Sequence, residues 1–135
     1  MISFEVKMPV RYYETDLMGV VHHSNYIRYF ECARNIMMEE MGYPVEQLAA
    51  DGFFTPVISV ACKYHRPAVM GDTVRAVATI ENAPLAKLYV KQAVYNQNDE
   101  LLADGQVVVA FTDKETGRPV RCPAKLLSII ESMLG

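Results

Sequence analysis

Two hydrophobic periods divide this chain. Over residues 2–12, ISFEVKMPVRY, the apolar Phe4, Val6, Met8, Val10 and Tyr12 alternate with Glu5, Lys7, Pro9 and Arg11. A period of two predicts a half-buried strand, and Pro9 on its polar face predicts an edge position or a bulge, because proline donates no ladder hydrogen bond. From Asn25 to Met41 the period lengthens. Tyr26, Ile27, Tyr29, Phe30, Ala33, Ile36, Met37 and Met41 form one broad apolar stripe, with Arg28, Glu31, Asn35 and Glu39 on the remaining face. That spacing predicts a long helix with Ser24 as its N-cap, stopped by Gly42 with Pro44 just beyond. So wide a stripe fits a helix held in a concave sheet better than one lying on a flat surface.

The period returns to two after Gly52. Segments 55–67, 72–81, 87–96 and 105–113 each read as strands, separated by turn-rich stretches such as NQNDE and TGRP. The last carries a continuous apolar run, Val107 to Phe111, as a central strand covered on both faces does. Residues 123–134, PAKLLSIIESML, predict a short amphipathic helix opened by Pro123. The order is strand, long helix, four strands, short helix. It predicts a single α+β domain over residues 1–135, with the sheet curling around the long helix.

Composition narrows the function classes. The chain is 51% hydrophobic and 21% charged, with a net charge of −3. That is a globular balance with no clustered cations for nucleic acid. No run of apolar residues is long enough to span a membrane and no signal-peptide core opens the chain, so the expected location is cytoplasmic. Cys32, Cys62 and Cys122 are odd in number and widely spaced, and read as small buried hydrophobes rather than a disulfide framework or zinc knuckle.

The stretch with chemistry is ETDLMGVVHHSNY, where Asp16 and Gly19 precede paired histidines and the helix start. The first amides of a helix have no intrahelical partners, and with the helix dipole they attract negative charge. A thioester carbonyl placed between them and Asp16 would be polarised from one side and attacked from the other. On spacing alone, Asp16 also fits a cap or a solvated loop residue. Glu14 reads as solvated, and the aromatics Tyr12, Tyr13, Tyr26, Tyr29 and Phe30 read as core or interface. His22, His23 and His65 show no metal-ligand spacing, and no metal site is expected.

The run YYETDLMGVVHHSNYIRYFECAR resembles the hotdog-fold acyl-CoA thioesterases of the 4-hydroxybenzoyl-CoA thioesterase type. Asp16, Gly19, Val21, His23 and Tyr26 fall on a motif of the form D-x-x-G-x-V-x-(H/Y)-x-x-Y. KYHRPAVMGDTV and DKETGRPVRCP resemble later parts of the same family more weakly. The resemblance implies a hotdog fold, with a curved antiparallel sheet of about five strands wrapped around one long helix, plus a short C-terminal helix. It implies acyl-CoA hydrolysis to free acid and coenzyme A. Asp16 would be nucleophile or general base, the His23 amide the oxyanion donor, and Gly19 the residue shaping the loop.

It further implies substrate contacts at Val21 and Tyr26, with Phe54 in an acyl slot beside Phe53, Val57 and Ile58. Lys87, Lys91 and, less securely, Arg66 would serve the coenzyme phosphates. No cofactor is implied, since coenzyme A is part of the substrate. The expected assembly is a homodimer or a dimer of dimers, a homotetramer, with sites at the dimer interface, and an acyl carrier protein is an alternative substrate carrier. Hotdog dehydratases resemble a different motif, with prolines after the catalytic histidine that HHSNY lacks. A non-catalytic acyl-CoA or acyl-carrier-protein binding protein would keep the slot without needing Asp16.

Overall fold

The computed structural model describes residues 1–135. Strand β1 (Ile2–Pro9) is followed by a 3-10 turn (Tyr12–Glu14) and by the long helix α1 (Ser24–Glu40). Then come α2 (Val45–Ala50), β2 (Phe53–Phe54), β3 (Val57–Tyr64), β4 (Thr73–Ile80), β5 (Lys87–Tyr95), β6 (Leu101–Asp113), β7 (Pro119–Val120) and α3 (Ala124–Leu134). All pairings are antiparallel, running β1-β4-β5-β6-β3, with β2 and β7 extending the far end of β6. The 13-residue β6 therefore lies between β5 and β3, in the central place that its apolar run predicts.

Most of the expected α1 stripe is buried, but Ile27, placed in it, is 40% exposed and Ile36 is only half-buried. Phe30 and Ala33 are fully enclosed, together with Tyr26, Tyr29 and Met37, against Ala76, Ala78, Ile80, Val90 and Val94 of the sheet. Small side chains on β4 let the helix sit close in the concavity. Gly42 ends the helix region with φ +80°, a conformation that costs glycine little. No helix is long and apolar enough to cross a membrane.

Several expectations are corrected, among them the cysteines, of which only Cys122 is buried while Cys32 is exposed and Cys62 half-buried. The first strand ends at Pro9 rather than reaching Tyr12, because the chain turns into the 3-10 turn and leaves Tyr12 and Tyr13 exposed. Helix α2 fills the segment after Pro44, where no element was expected. Ser24 is the first helical residue rather than the cap. His23 holds the N-cap position without a side-chain cap, and the Ser24 hydroxyl is instead 2.8 Å from His22 Nδ1.

The two sheet edges differ. On β1, Glu5, Lys7 and Pro9 are exposed, which blunts that edge against pairing. β3 bonds only to β6 and exposes Val57, Ile58, Val60 and Tyr64. A long apolar edge with unpaired backbone groups is a template for another strand.

Candidate active site

Between the 3-10 turn and α1 the chain makes a short hairpin. Thr15 bridges Val21, and Asp16 N–H donates to Val20 O at 2.8 Å. At its tip Gly19 takes φ +79°, where a side chain would be strained. Asp16 Oδ1 accepts the Met18 N–H at 2.8 Å, an Asx-type turn that fixes one carboxylate oxygen and leaves the other uncommitted. The returning arm is tied down by Val21 N–H to Ala68 O at 2.8 Å and by the bridge between Val20 and Val69. The segment after β3 is therefore the floor on which the hairpin rests.

The helix start is held from beneath by Glu14, a residue only 6% exposed rather than solvated. Glu14 Oε1 accepts the Arg11 N–H at 2.8 Å and the Tyr29 hydroxyl at 2.9 Å. Its backbone carbonyl accepts the His22 N–H and the Asn25 side-chain amide, both at 2.8 Å. Burial and the Glu14 hydrogen bond push the Tyr29 phenol well above its ordinary range. A buried carboxylate is tolerated only with such partners.

These contacts decide which amides remain for a ligand. Ser24 N–H donates to His22 Nδ1, Asn25 N–H to His22 O and Tyr26 N–H to His23 O. The His23 N–H donates to no protein atom. Its carbonyl accepts the Tyr64 hydroxyl from β3 at 3.2 Å. The Tyr64 ring meets Tyr26 edge-on at 5.3 Å and His23 at 6.3 Å.

A cavity of about 290 Å³ is lined by Asp16, Met18, Val20, Val21, His23, Tyr26, Tyr64, His65, Arg66 and Pro67. It thus gathers Asp16, His23, Val21, Tyr26 and Arg66, with Gly19 in the loop that forms its wall. Tyr26 is anchored in the wall, its hydroxyl oxygen accepting the Ala68 N–H at 3.1 Å. Arg66 is paired with Glu100 at 3.0 Å. Tyr64, Glu14 and Asn25 are participants that the sequence does not single out. Only the proximity of KYHRP to the motif after folding reveals Tyr64.

The other expected contacts lie elsewhere. Lys87 and Lys91 flank Tyr89 on the outer face of β5, in a groove of about 470 Å³. Lys91 is held by Glu81 at 2.8 Å, whereas Lys87 forms no ion pair. Phe54 lines neither cavity; its ring sits 5.9 Å beneath the Lys114 ammonium. Val57 does line an apolar groove of about 300 Å³ between α1 and the β3 edge, with Met38, Leu88, Val90, Val109 and Phe111 among its walls. This groove lies at the Val57 end of β3, and the Asp16 cavity at the Tyr64 end.

The family model for the thioesterase-like superfamily matches residues 10–130. The chain belongs to that superfamily. Among its relatives in the thioesterase-like superfamily, a putative acyl-CoA thioesterase of Bacillus subtilis is 29% identical over 115 residues, covering 85% of this chain and 83% of its own. The acyl-CoA thioester hydrolase YbgC of Escherichia coli is 28% identical over 124 residues, covering 90% and 92%. A solved hypothetical protein from Thermus thermophilus superposes with TM-score 0.89 at 31% identity, covering 98% and 99%. The DHNA-CoA thioesterase of Staphylococcus aureus shares the fold with TM-score 0.92 at 24% identity, covering 98% and 91%. The expected hotdog fold and thioesterase family are both borne out.

Proposed function

We propose that this protein hydrolyses acyl-CoA thioesters to the free acid and coenzyme A, with Asp16 and the His23 amide as the reacting and stabilising groups. The observation that carries the reading is that Asp16 and His23, whose N–H has no protein acceptor, line one cavity at a helix start. A thioester carbonyl there accepts the His23 N–H, and its oxygen gains negative charge as a tetrahedral centre forms. Losing such a donor typically costs about 2.7–4 kcal/mol of barrier.

Asp16 approaches from the hairpin with one oxygen held by the Met18 N–H and the other left free for the reaction. As nucleophile it forms a mixed anhydride and expels the coenzyme thiolate, and water then releases the acid. As general base it takes a proton from water, whose oxygen attacks the carbonyl as the C–S bond breaks. Single-turnover hydrolysis in labelled water separates the two, since only the anhydride route can carry label into the Asp16 carboxylate.

The active assembly in this reading is a two-fold dimer through β3. Antiparallel pairing of β3 with its copy sets the Val57 end of one protomer against the Tyr64 end of the other. The Asp16 cavity of one subunit then adjoins the apolar groove of the second, and the two become one site. Exposed Leu17, Met18, Tyr12 and Tyr13 near Asp16 favour such a cover. Lys87, free of ion pairs on the outer face of the sheet, is the cation offered to the coenzyme phosphates, which favours a further pairing of dimers.

Thiol release from short, long and aromatic acyl-CoAs tests the reading. Release by wild type and loss in folded Asp16→Asn is expected. Full release by Asp16→Asn would overturn the assignment. Retained binding without release by wild type would favour the non-catalytic alternative.

A further inference from the structure

The apolar groove contains one charge that packing does not explain. Arg34 projects from the flank of α1 into the groove wall and is partly buried. Burial lowers its pKa from the ordinary value, as for a guanidinium partly withdrawn from water. It pairs with no carboxylate. Its single hydrogen bond runs from Nη1 to Gln92 Oε1 at 2.9 Å.

Gln92 is itself 3% exposed, and its Nε2 donates to Phe30 O at 2.7 Å, which fixes the amide so that its oxygen faces Arg34. A neutral acceptor thus holds the guanidinium in place and leaves the Nε and Nη2 donors uncommitted. Glu31, one turn away on α1, also lines the groove; its charge partly offsets the effect of burial on Arg34 through space, but it forms no ion pair and leaves the guanidinium donors free.

Removing a guanidinium from water without a directly bonded anion is unfavourable, and its planar fork matches a carboxylate with two parallel hydrogen bonds. We infer that Arg34 is a specificity-determining residue that selects acyl groups ending in a carboxylate, whose methylene chain lies along Met38, Leu88, Val90 and Val109. This inference rests on the thioesterase reading, and it names the class of acyl group that the reading leaves open. The thioester end stays at the Asp16 cavity and the reaction is unchanged; Arg34 acts only on the far end of the chain.

The test compares kcat/KM for alkanoyl-, ω-hydroxyalkanoyl- and ω-carboxyalkanoyl-CoAs matched in length from short to medium chains. It uses wild type, Arg34→Met and Arg34→Lys, with subunit mass measured for each. Wild type is expected to prefer the ω-carboxyl member at one chain length by about 10–100-fold, the range of a charge-assisted hydrogen bond. Arg34→Met is expected to abolish that preference while leaving the alkanoyl rate within about threefold, and Arg34→Lys to restore part of it.

Alkanoyl and ω-carboxyl substrates falling together in Arg34→Met, with or without dissociation, would overturn the inference and leave Arg34 a structural residue. A stronger Arg34-dependent preference for the hydroxyl member would overturn the carboxylate assignment. Turnover of alkanoyl-CoAs that Asp16→Asn abolishes, without any end-group preference, would overturn the inference alone. Absence of Asp16-dependent turnover on every member would overturn the thioesterase reading itself.

Discussion

The Tyr29 hydroxyl donates a 2.9 Å hydrogen bond to the buried Glu14 carboxylate, tying the turn before the Asp16 hairpin to the second turn of α1. The same residue holds His22 and Asn25 through its carbonyl. Glu14 thus sets the position of the helix start relative to Asp16 without lining the cavity.

Glu14→Ala is therefore expected to destabilise the protein by about 2–4 kcal/mol, because Tyr29 O–H and Arg11 N–H lose their acceptor inside the fold. Tyr29→Phe is expected to cost about 1.5–3 kcal/mol, the range of a hydrogen bond to a charged group. Denaturant titrations of both variants and the double variant measure the coupling, which is expected to be large because the two side chains touch. An additive double variant would contradict the buried bond.

Gly105→Ala is expected to loosen β3 from β6. A Cβ at Gly105 would lie 1.8 Å from the Ala61 carbonyl oxygen, a backbone atom that no rotamer change can move. Relief requires the strands to part, at a cost of about 1–3 kcal/mol or more. Thermal unfolding checks the cost, and amide exchange across Val60–Lys63 checks its location.

Val60→Lys is expected to separate the subunits, since pairing β3 with its copy brings the two lysines near the two-fold axis in a strand that otherwise exposes apolar side chains. Light scattering should give an assembly of 15.2 kDa chains for wild type and the single chain for the variant. Thiol release should fall with dissociation. A monomeric wild type with full activity would contradict the shared site.

Stability is expected to fall above about pH 9. Burial pushes the Cys122 thiol from 9.0 up to about 12, and burial with the Asp51 hydrogen bond pushes the Tyr43 phenol from 10.0 up to about 12. Both groups stay protonated in the folded chain at a pH where the unfolded chain loses the proton. Their contribution is complete below the unfolded values and is lost as pH rises toward the folded ones. Melting temperatures between neutral pH and pH 11 should decline, and Cys122→Ala should flatten the onset. A wild-type profile unchanged to pH 11 would contradict this.

The legible parts of the fold were those with a strong period. The α1 stripe, the alternation of Thr73–Ile80 and the apolar run of β6 each bury a defined face, so periodicity places them within a few residues. The turn at Tyr12–Glu14 was illegible because Val10 and Tyr12 continue the alternation of β1, although hydrogen bonds bend the chain there. In the site, Asp16 and Gly19 were readable as a carboxylate and a loop-shaping glycine before a helix start, whereas the Asx turn that holds Asp16 appears only in the fold. Glu14 was misread because a glutamate following two exposed tyrosines and preceding Thr15 and Asp16 has a polar local context, and its acceptor role comes from Tyr29, a full α1 turn beyond the start. Tyr64 and Arg34 gain their meaning only from contacts across the fold, with His23 and Gln92, which no local spacing encodes.

Subunit complementation tests the shared site most directly. Asp16→Asn removes the carboxylate, and Asn35→Trp, at an exposed position lining the groove, blocks the acyl chain. Each variant alone is expected to be inactive in thiol release. Unfolded together in equal amounts and refolded, half of the dimers join one of each, and each such dimer has one intact Asp16 beside one open groove. Recovery of about a quarter of the wild-type rate is expected, by the two-fold symmetry of the pairing. A mixture as inactive as its parents would place carboxylate and groove in one protomer and contradict the shared site.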